Sequence, residues 1–199
     1  MENKSDISNK KSLLKKLLPV LMTVFVIALD QVTKALVVKY IARSDIEPFF
    51  GQDQENASIE IFGSFLRLIH VRNPAVAFSM GASLPQNIRT ILFSFLPLIV
   101  IGFVFVIYFR SKDFTQLQRW SICGILGGGL GNLIDRFFRP DGVVDFIDFY
   151  FPIFFKSKRW PTFNAADSAV VICGILFVIS FIIVSVKRKK LEKKEKTDE

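Results

Sequence analysis

Two aspartates stand beside strongly apolar stretches of this chain, and they are the residues best suited to chemistry. Asp145 lies within the segment Gly142–Phe146, and Asp167 ends the segment Phe163–Asp167, where another apolar stretch begins. A carboxylate close to hydrocarbon is energetically costly, so it is a functional candidate whose partner has to be found. The obvious partner of each aspartate is the other one.

A pair of neighbouring carboxyl groups predicts acid–base catalysis. Two close carboxyl groups cannot both ionise cheaply, so one of them keeps a proton near neutral pH. The ionised member can accept a proton from water while the protonated member donates to a substrate carbonyl. Because such a pair titrates as a unit, the sequence does not assign the two roles. The only histidine, His70, has no serine or cysteine in a nucleophile motif nearby and is interpreted as a polar surface residue.

Two other polar motifs could contact a substrate. Asp30 and Lys34 stand at positions i and i+4, so they share a helix face and can form an ion pair. This pair either snorkels near the outer end of its helix or forms a clamp that holds the substrate backbone or the catalytic pair. Asn73 lies in a predicted turn and offers a donor and an acceptor to an extended peptide, although a plain loop is the simpler interpretation.

The segment from Gly124 to Arg136 combines closely spaced glycines with a polar helix face. The spacings Gly124/Gly128 and Gly127/Gly131 are typical of helices that pack closely in lipid. A phosphate site is not indicated, because both the Walker lysine and a preceding soluble strand are missing. Polar residues at i, i+3 and i+4 then share one face: Asn132, Asp135 and Arg136. We expect Arg136 to neutralise Asp135.

Four apolar stretches must position these residues. Mean hydropathy is +0.40, yet the charges are concentrated in a few places, which is typical of a bilayer protein. Crossing the hydrocarbon takes ~20 mostly apolar residues. The stretches that are long enough are Leu17–Tyr40, Ile88–Phe109, Arg119–Phe138 and Ala165–Val186. The sequence therefore predicts one membrane α-helical domain over residues 17–186, with polar tails at 1–16 and 187–199.

The net charge of +8 is distributed as in a membrane protein, and nucleic acid is not expected as a partner. Basic residues precede the first span, follow the second and follow the last: Lys4, Lys10, Lys11, Lys15, Lys16, Arg110, Lys112 and residues 187–190. The positive-inside rule then predicts that both termini are cytoplasmic. The connections 41–87 and 139–164 face outward, on the side where Asp30, Asp145 and Asp167 gather.

These outward connections are expected to cover the site. Residues 58–68 alternate around a Gly-Ser turn and predict a small sheet on the outer surface. Non-helical backbone at the membrane must pack on protein or line a wet cavity. The connection 139–164 is rich in aromatic residues: Phe146, Phe149, Tyr150, Phe151, Phe154, Phe155, Trp160 and Phe163. Their rings form an interfacial belt, the wall of a lipid-facing substrate pocket, or both.

The N-terminus and the cysteines add little chemistry. A basic start followed by an apolar run imitates a signal peptide, but the run is long and ends without a small-residue cleavage site. We interpret it as a retained first span. Cys123 and Cys173 lie within predicted spans and have no Cys or His neighbours at metal-binding spacing, so they are interpreted as packing residues. No metal and no cofactor are expected.

Five motifs, in order, resemble lipoprotein signal peptidase (signal peptidase II) over nearly all of residues 25–175. They are Asp30-Gln31-x-x-Lys34, Asn73 followed by Ala77-Phe78, Gly131-Asn132-x-x-Asp135-Arg136, Val143-Val144-Asp145-Phe146 and Phe163-Asn164-x-Ala166-Asp167. The resemblance implies an enzyme of the bacterial inner membrane with four transmembrane helices and an extracytoplasmic β-cradle. It also implies an aspartyl protease that removes signal peptides from diacylglyceryl-modified prolipoproteins, just before the lipidated cysteine.

The resemblance extends to individual residues. Asp145 and Asp167 match the catalytic dyad, and the polar residues around the dyad match Asp30, Lys34, Asn73, Gly128, Asn132, Asp135, Arg136 and Asn164. It implies that these residues orient the dyad and bind the backbone of the substrate or of globomycin-type inhibitors. Membrane lipids are further expected partners. Two departures from the family pattern are Pro74-Ala75, where a glycine usually stands two residues after the asparagine, and a slightly long stretch at 137–141.

Two other classes of function use the same residues. A small transporter or proton-coupled channel would use Asp30, Asp135, Asp145 and Asp167 as a relay, but relay carboxylates should be spread across membrane depth. Three of these four gather at the outer face instead. A non-catalytic scaffold held by the glycine-rich helix leaves the aspartate motifs unexplained. The sequence therefore favours an endopeptidase in which a water molecule between Asp145 and Asp167 attacks the scissile carbonyl.

Overall fold

The computed structural model describes residues 13–44, 58–74, 91–153 and 159–198, together with the single residues 10, 85 and 88. The helices are α1 (Val20–Tyr40), α2 (Leu96–Arg110, preceded by a π-helical turn at Ile91–Phe95), α3 (Gln116–Phe138) and α4 (Ala165–Asp198). The strands are β1 (Ser58–Phe62), β2 (Leu66–Asn73) and β3 (Val143–Phe149). Some predicted features lie outside the described residues, among them Ala75, Ala77-Phe78, Phe154, Phe155 and most of the tail 1–16.

Within the described ranges, three helices are long and apolar enough to cross a membrane by length and composition. They cover Leu13–Tyr40, Ile91–Arg110 and Ala165–Glu195, close to three of the predicted spans. Many of their large apolar side chains are exposed in the isolated chain, for example Phe103 and Ile172. Contiguous exposed apolar surface of this kind is expected where a protein faces lipid.

The fourth predicted span is also a helix, but its surroundings differ. It lies within α3, which is not among the three helices that are both long and apolar enough to cross a membrane. Twelve of the 23 residues of α3 are buried, because the helix packs between α1 and α4. Its glycine and polar positions therefore face protein, and α3 needs less apolar surface than its neighbours.

The glycines of α3 allow both neighbouring helices to approach closely. A Cβ atom at Gly124 or Gly128 would collide with atoms of α4, and one at Gly127 or Gly131 would collide with atoms of α1. The two predicted small-residue spacings thus serve two different partner helices. Because side chains three and four residues apart share a helix face, each pair forms one groove.

The sheet is antiparallel, with strand order β1-β2-β3. The predicted hairpin is confirmed, and its turn contains Gly63 at φ +52°, a backbone conformation that glycine adopts most easily. Strand β3 was not predicted, since the sequence indicated only a connection there. It packs on the end of α1 through a core formed by Val37, Ile41, Val144 and Phe146. The sheet therefore brings β3 directly onto the helices.

His70 of β2 is not the surface residue that the sequence indicated. Only 5% of it is exposed. Its Nδ1 lies 3.1 Å from the Ile41 carbonyl oxygen, and Arg72 donates from Nε to its Nε2 at 3.1 Å. The imidazole therefore joins β2 to the end of α1.

Candidate active site

Asp145 lies in the middle of β3, and only 3% of it is exposed. Its Oδ1 accepts a hydrogen bond from Asn164 Nδ2 at 2.8 Å, and its Oδ2 accepts one from Asn73 Nδ2 at 2.9 Å. Successive side chains of a strand point to opposite faces, so Asp145 shares its face with Val143 and Phe149, which line the same cavity. Both carboxylate oxygens are therefore held by amide side chains.

The environment of Asp145 keeps a proton available near neutral pH. Burial raises the pKa of Asp145 to about 7, and the negative charge of Asp167 adds to this effect. The hydrogen bonds from Asn73 and Asn164 and the charge of Lys34 act in the opposite direction on this pKa. Burial has the largest effect, so the Asp145 carboxyl group is partly protonated at neutral pH.

The position of Asp167 follows from the N-terminal cap of α4. Asn164 Oδ1 accepts from the backbone N–H of Asp167 at 3.0 Å, and Asp167 Oδ2 accepts from the backbone N–H of Asn164 at 3.2 Å. This reciprocal arrangement is a capping box. Asp167 Oδ1 also accepts from Asn132 Nδ2 at 2.8 Å. Asn164 thus binds both aspartates, Asp145 through its side chain and Asp167 through its backbone.

A buried lysine lies behind the two aspartates. Lys34 Nζ is 2.8 Å from Asp30 Oδ2, 3.0 Å from Asp135 Oδ2 and 2.9 Å from Asn132 Oδ1. These three acceptors match the three N–H donors of an ammonium group. The side chains of Asp30, Lys34 and Asp135 are 0% exposed. The predicted ion pair between Asp30 and Lys34 is confirmed, but it is buried within the protein and does not snorkel at the lipid.

The ion pairs of Lys34 connect the backbones that carry Asp145 and Asp167. Asp135 Oδ2 accepts a 3.0 Å hydrogen bond from the backbone N–H of the residue before Asp145. Asp30 Oδ1 accepts a 3.0 Å hydrogen bond from the backbone N–H of the residue before Asp167. Removing one member of a buried ion pair typically costs ~3–5 kcal/mol. The network therefore holds the start of β3 and the first turn of α4 in a defined relative position.

Arg136 does not neutralise Asp135, contrary to the expectation from sequence. Asp135 pairs with Lys34 and, through Oδ1, with Arg139 Nε at 3.1 Å. Among the described residues, Arg136 has no hydrogen-bond or ion-pair partner within range. Consecutive helix residues are ~100° apart around the axis, so Arg136 faces away from Asp135. It shares the face of Asn132, one turn earlier, and both side chains line the cavity.

A cavity of about 1010 Å³ gives access to both aspartates. Its polar lining consists of Arg72, Asn73, Asn132, Arg136, Asp145 and Asp167, and its aromatic lining of Phe65, Phe149, Tyr150, Phe151, Trp160 and Phe163. The cavity continues along α4 to Val171 and Ile172, which are exposed on the outside of that helix. Several of the aromatic residues of the 139–164 connection therefore line this cavity.

The predicted site residues divide into two groups. Five reach the cavity, namely Asp145, Asp167, Asn73, Asn132 and Arg136, whereas Asp30, Lys34, Asp135 and Asn164 are buried behind it. Gly128 lies at the contact between α3 and α4, where its missing side chain leaves room for the carbonyl oxygen of Ala166. The structure thus brings all ten residues into one region.

Two residues of this region were not singled out from the sequence. Gln31 donates from Nε2 to Asp30, to Asp135 and to the Gly131 carbonyl oxygen, each at 3.1 Å. Gln31 could have been recognised from the sequence because it lies within the Asp-Gln-x-x-Lys motif. Gly142 precedes β3 at φ +99°, and a Cβ there would collide with the Asn73 carbonyl. Gly142 could have been recognised because it is a glycine directly before an apolar run.

The two departures from the family pattern leave the contacts of Asp145 in place. The stretch 137–141 includes the end of α3 and a turn closed by a 3.1 Å hydrogen bond from Gly142 N to the Arg139 carbonyl. Pro74 directly follows β2, and Asn73 still donates to Asp145. Residues 139–142 thus form the turn before β3.

Comparison with known proteins gives matches over most of the chain. Residues 22–183 match the family model of signal peptidase (SPase) II. The lipoprotein signal peptidase of Treponema denticola is 46% identical over 175 residues, which cover 88% of this chain and 94% of that protein. The lipoprotein signal peptidase of Treponema pallidum is 42% identical over 168 residues, or 84% of each chain. The one from Borreliella burgdorferi is 43% identical over 173 residues, covering 85% and 93%.

Solved structures match as well. A bacterial membrane enzyme determined by the in meso method at 2.3 Å resolution superposes with a TM-score of 0.66 at 27% identity, covering 84% of this chain and 88% of that one. A second such structure, at 1.9 Å resolution, gives a TM-score of 0.64 at 28% identity, covering 82% and 91%. The chain therefore belongs to the signal peptidase II family, the membrane peptidases that cleave signal peptides from lipoproteins.

Proposed function

We propose that this peptidase is an aspartic-type endopeptidase in which Asp145 and Asp167 activate a water molecule. The observation that carries the proposal is that Asn164 binds both carboxyl groups, one through its side chain and the other through its backbone. Both carboxyl groups also line one cavity, and the charge of Asp167 contributes to the raised pKa of Asp145. Two such groups with one retained proton suit acid–base hydrolysis.

The reaction needs one proton on the dyad at its start. The ionised carboxylate takes a proton from water as the water oxygen bonds to the scissile carbonyl carbon, and the protonated carboxyl group donates to the carbonyl oxygen. A tetrahedral gem-diol forms. It collapses as the carbon–nitrogen bond breaks: the carboxyl group that took the proton from water gives it to the leaving nitrogen, and the other carboxylate takes a proton from a gem-diol hydroxyl, which becomes the carbonyl of the new carboxyl terminus. The dyad then again holds one proton. Acid–base assistance of this kind contributes ~10²–10⁴-fold in rate.

The other polar residues of the cavity suit binding of the substrate backbone. Arg136 presents up to five N–H donors and has no partner of its own among the described residues. Asn73 and Asn132 add amide groups beside Asp145 and Asp167 respectively. We assign Arg136 to the substrate, and Asn73 and Asn132 both to the substrate and to the dyad that they contact. The buried residues that we assign to positioning of the dyad are Asp30, Lys34, Asp135, Asn164 and Gly128. Globomycin-type inhibitors would occupy the same cavity.

The substrate that we assign to this cavity is a prolipoprotein with a diacylglyceryl-modified cysteine, which the enzyme cleaves just before that cysteine. The aromatic lining and the opening along α4 support it, because acyl chains gain ~0.8 kcal/mol for each buried CH₂ group. A lipid-anchored substrate approaches within the plane of the membrane, which suits a cavity continuous with the exposed apolar face of α4.

We further place the enzyme in the bacterial cytoplasmic (inner) membrane, with both termini inside and the dyad towards the outer face. The basic residues at the start of the first helix and at the end of α4 support this orientation, because Lys and Arg are enriched on the cytoplasmic side. Residues 17–186 then form the peptidase domain, and 1–16 and 187–199 form cytoplasmic tails.

Asn substitutions test the dyad. Asp145→Asn and Asp167→Asn each remove the carboxyl chemistry at nearly constant volume, so signal-peptide release should fall by at least ~10²-fold. The measurement uses purified enzyme in detergent with a diacylglyceryl prolipoprotein, and inhibition by globomycin identifies the activity. Asp113→Asn, at an exposed position between α2 and α3, is the matched control and should remain active. Near-normal turnover of either dyad variant would remove that residue from the mechanism.

A further inference from the structure

Asp148 is a buried carboxylate that the proposed mechanism does not use. It lies on β3 and is 2% exposed, and strand alternation turns it to the face opposite Asp145. Arg67 Nη2 is 2.7 Å from its Oδ2, and Arg159 Nε is 2.7 Å from Oδ1 and 2.6 Å from Oδ2. One carboxylate therefore holds two guanidinium groups.

The two arginines come from different parts of the fold. Arg67 lies on β2 directly opposite Asp148, so it joins two strands that already share backbone hydrogen bonds. Arg159 lies outside the three strands, in the segment that leads to α4. It also donates from Nη2 to the Ser64 carbonyl oxygen in the hairpin turn at 3.1 Å. Arg159 therefore fastens this segment to both β3 and the β1–β2 hairpin.

The segment after Arg159 forms one wall of the cavity. Its residues Trp160, Pro161, Thr162 and Phe163 all line the cavity that contains Asp145 and Asp167. The far end of this wall is held by backbone pairing, since the N–H of Ile147 donates to the Phe163 carbonyl at 2.8 Å. At the near end, the Arg159 side chain adds the ion pair with Asp148 to a backbone hydrogen bond from Trp160 to Phe149.

We propose that Asp148, acting through Arg159, is a positioning residue that determines how tightly the substrate is held. The ion pair sets the place of the wall 160–163 against the apolar part of the substrate. Charge-assisted hydrogen bonds from a guanidinium fix geometry as well as contributing energy. The dyad depends on Asn73, Asn132 and Asn164 instead, so loss of the ion pair weakens binding and leaves the chemical step intact. The proposal rests on the cavity being the substrate site.

Kinetics of matched arginine variants test this inference. Arg159→Gln removes the ion pair at the near end of the wall, whereas Arg67→Gln removes the other partner of Asp148 and keeps the ion pair of Arg159. With a diacylglyceryl prolipoprotein in detergent, Arg159→Gln should raise KM by at least about fivefold, because the wall is held less firmly against the substrate, and change kcat by less than about twofold. Arg67→Gln should change KM by less than about twofold. Arg159→Lys keeps the charge without the planar fork and should give an intermediate KM.

Equal rises in KM for Arg159→Gln and Arg67→Gln, a loss confined to kcat, or unchanged kinetics of Arg159→Gln would each overturn the proposal. If Arg159→Gln does not fold, the comparison of Arg159→Lys with Arg67→Lys replaces it, and the same inequality in KM is expected. Failure of the dyad assignment is distinguishable, because it appears as activity of Asp145→Asn and does not affect the ratio of KM values between arginine variants.

Discussion

The proposed chemistry depends on amide side chains as much as on carboxylates. Asn164 is fully buried and donates to Asp145, to Asn132 and to the Val144 carbonyl, while its backbone and side chain cap α4 at Asp167. An amide can donate and accept without adding charge. A carboxylate at this position would add a further negative charge beside the dyad, which asparagine avoids.

The hydrogen bond from Asn73 to Asp145 should affect how the activity of the enzyme changes with pH. The proposed mechanism needs one proton on the dyad, so kcat/KM should fall as the pH rises through about 7, the pKa of Asp145. The Asn73 amide stabilises the ionised form of Asp145 and thereby lowers this pKa. Asn73→Ala removes that effect, so the pKa rises and the alkaline decline should move to higher pH.

The measurement is kcat/KM against pH for the parent enzyme and for Asn73→Ala, in the same detergent. Since the free enzyme sets the profile of kcat/KM, substrate binding does not mask the shift. An alkaline decline that stays in place, or moves to lower pH, would contradict the role of Asn73 as a donor to ionised Asp145.

Among the elements, α3 has the strongest influence on the site. It packs against α4 through Gly124 and Gly128 and against α1 through Gly127 and Gly131. The polar residues that directly follow these glycines are Asn132, Asp135 and Arg136. Close approach of α3 to α4 is what allows Asn132 to reach Asp167 at 2.8 Å. Helix packing and dyad geometry are therefore coupled.

Alanine at Gly128 should damage this coupling. The added Cβ would collide with the Ala166 carbonyl oxygen in the first turn of α4, one residue before Asp167. Because backbone cannot move aside as a flexible side chain does, α4 must shift away from α3. We expect a loss of ~1–3 kcal/mol in stability, as for overpacking of a core, and at least a tenfold loss of activity.

Gly174→Ala is the matched control, since a Cβ there meets no atom within 4 Å. Replacing this α4 glycine by alanine should leave activity unchanged and, by helix propensity, raise stability by up to ~1 kcal/mol. Thermal unfolding in detergent and signal-peptide release provide the two readings. Equal behaviour of the Gly128 and Gly174 variants would show that the α3–α4 contact does not control the site.

Strand β3 decides the geometry of Asp145 at the level of the element. Its neighbour β2 supplies Asn73 next to Asp145 in space, although the register places Asn73 opposite Val143 and Val71 opposite Asp145. A shift of register by one residue would turn Asp145 to the other face. The irregular pairing between Leu68 and Val71 and the turn at Gly142 are therefore part of the site.

At the scale of the whole molecule, the candidate site lies between the sheet and the helix ends. The sheet packs on the last turn of α1, and the polar network fills the space between α1, α3, β3 and the start of α4. The other faces of the helices carry large apolar side chains that are exposed on the outside of the molecule. This arrangement keeps charged groups away from lipid while the cavity remains open along α4.

The proposed orientation predicts opposite accessibility at the two ends of the molecule. Glu60 of β1 and Lys189 of α4 are both exposed, and the native Cys123 and Cys173 are buried. In intact cells with a permeable outer envelope, a membrane-impermeant maleimide should label Glu60→Cys. It should label Lys189→Cys only after the cytoplasmic membrane is opened. The reverse pattern would invert the topology, and labelling of both in intact cells would exclude a sealed barrier between them.

Features that depend on neighbours close along the chain could be predicted from the amino-acid sequence. The Asp30–Lys34 pair, the glycine grooves of α3 and the β1–β2 hairpin follow from spacings of four residues or from a short turn, and all three are present. The five motifs also identified the family. Helical and strand periodicity encode these local relations directly.

The contacts between distant residues, in contrast, became known from the fold. Asn73 and Asp145 are separated by 72 positions, and Asp30 binds backbone 136 positions away in α4. The partners of Asp135, the burial of His70 and the existence of β3 depend on such contacts, and they are the points where the sequence interpretation was wrong or incomplete. Spacing along the chain does not specify these pairs, because they form only when the sheet and the helices pack together.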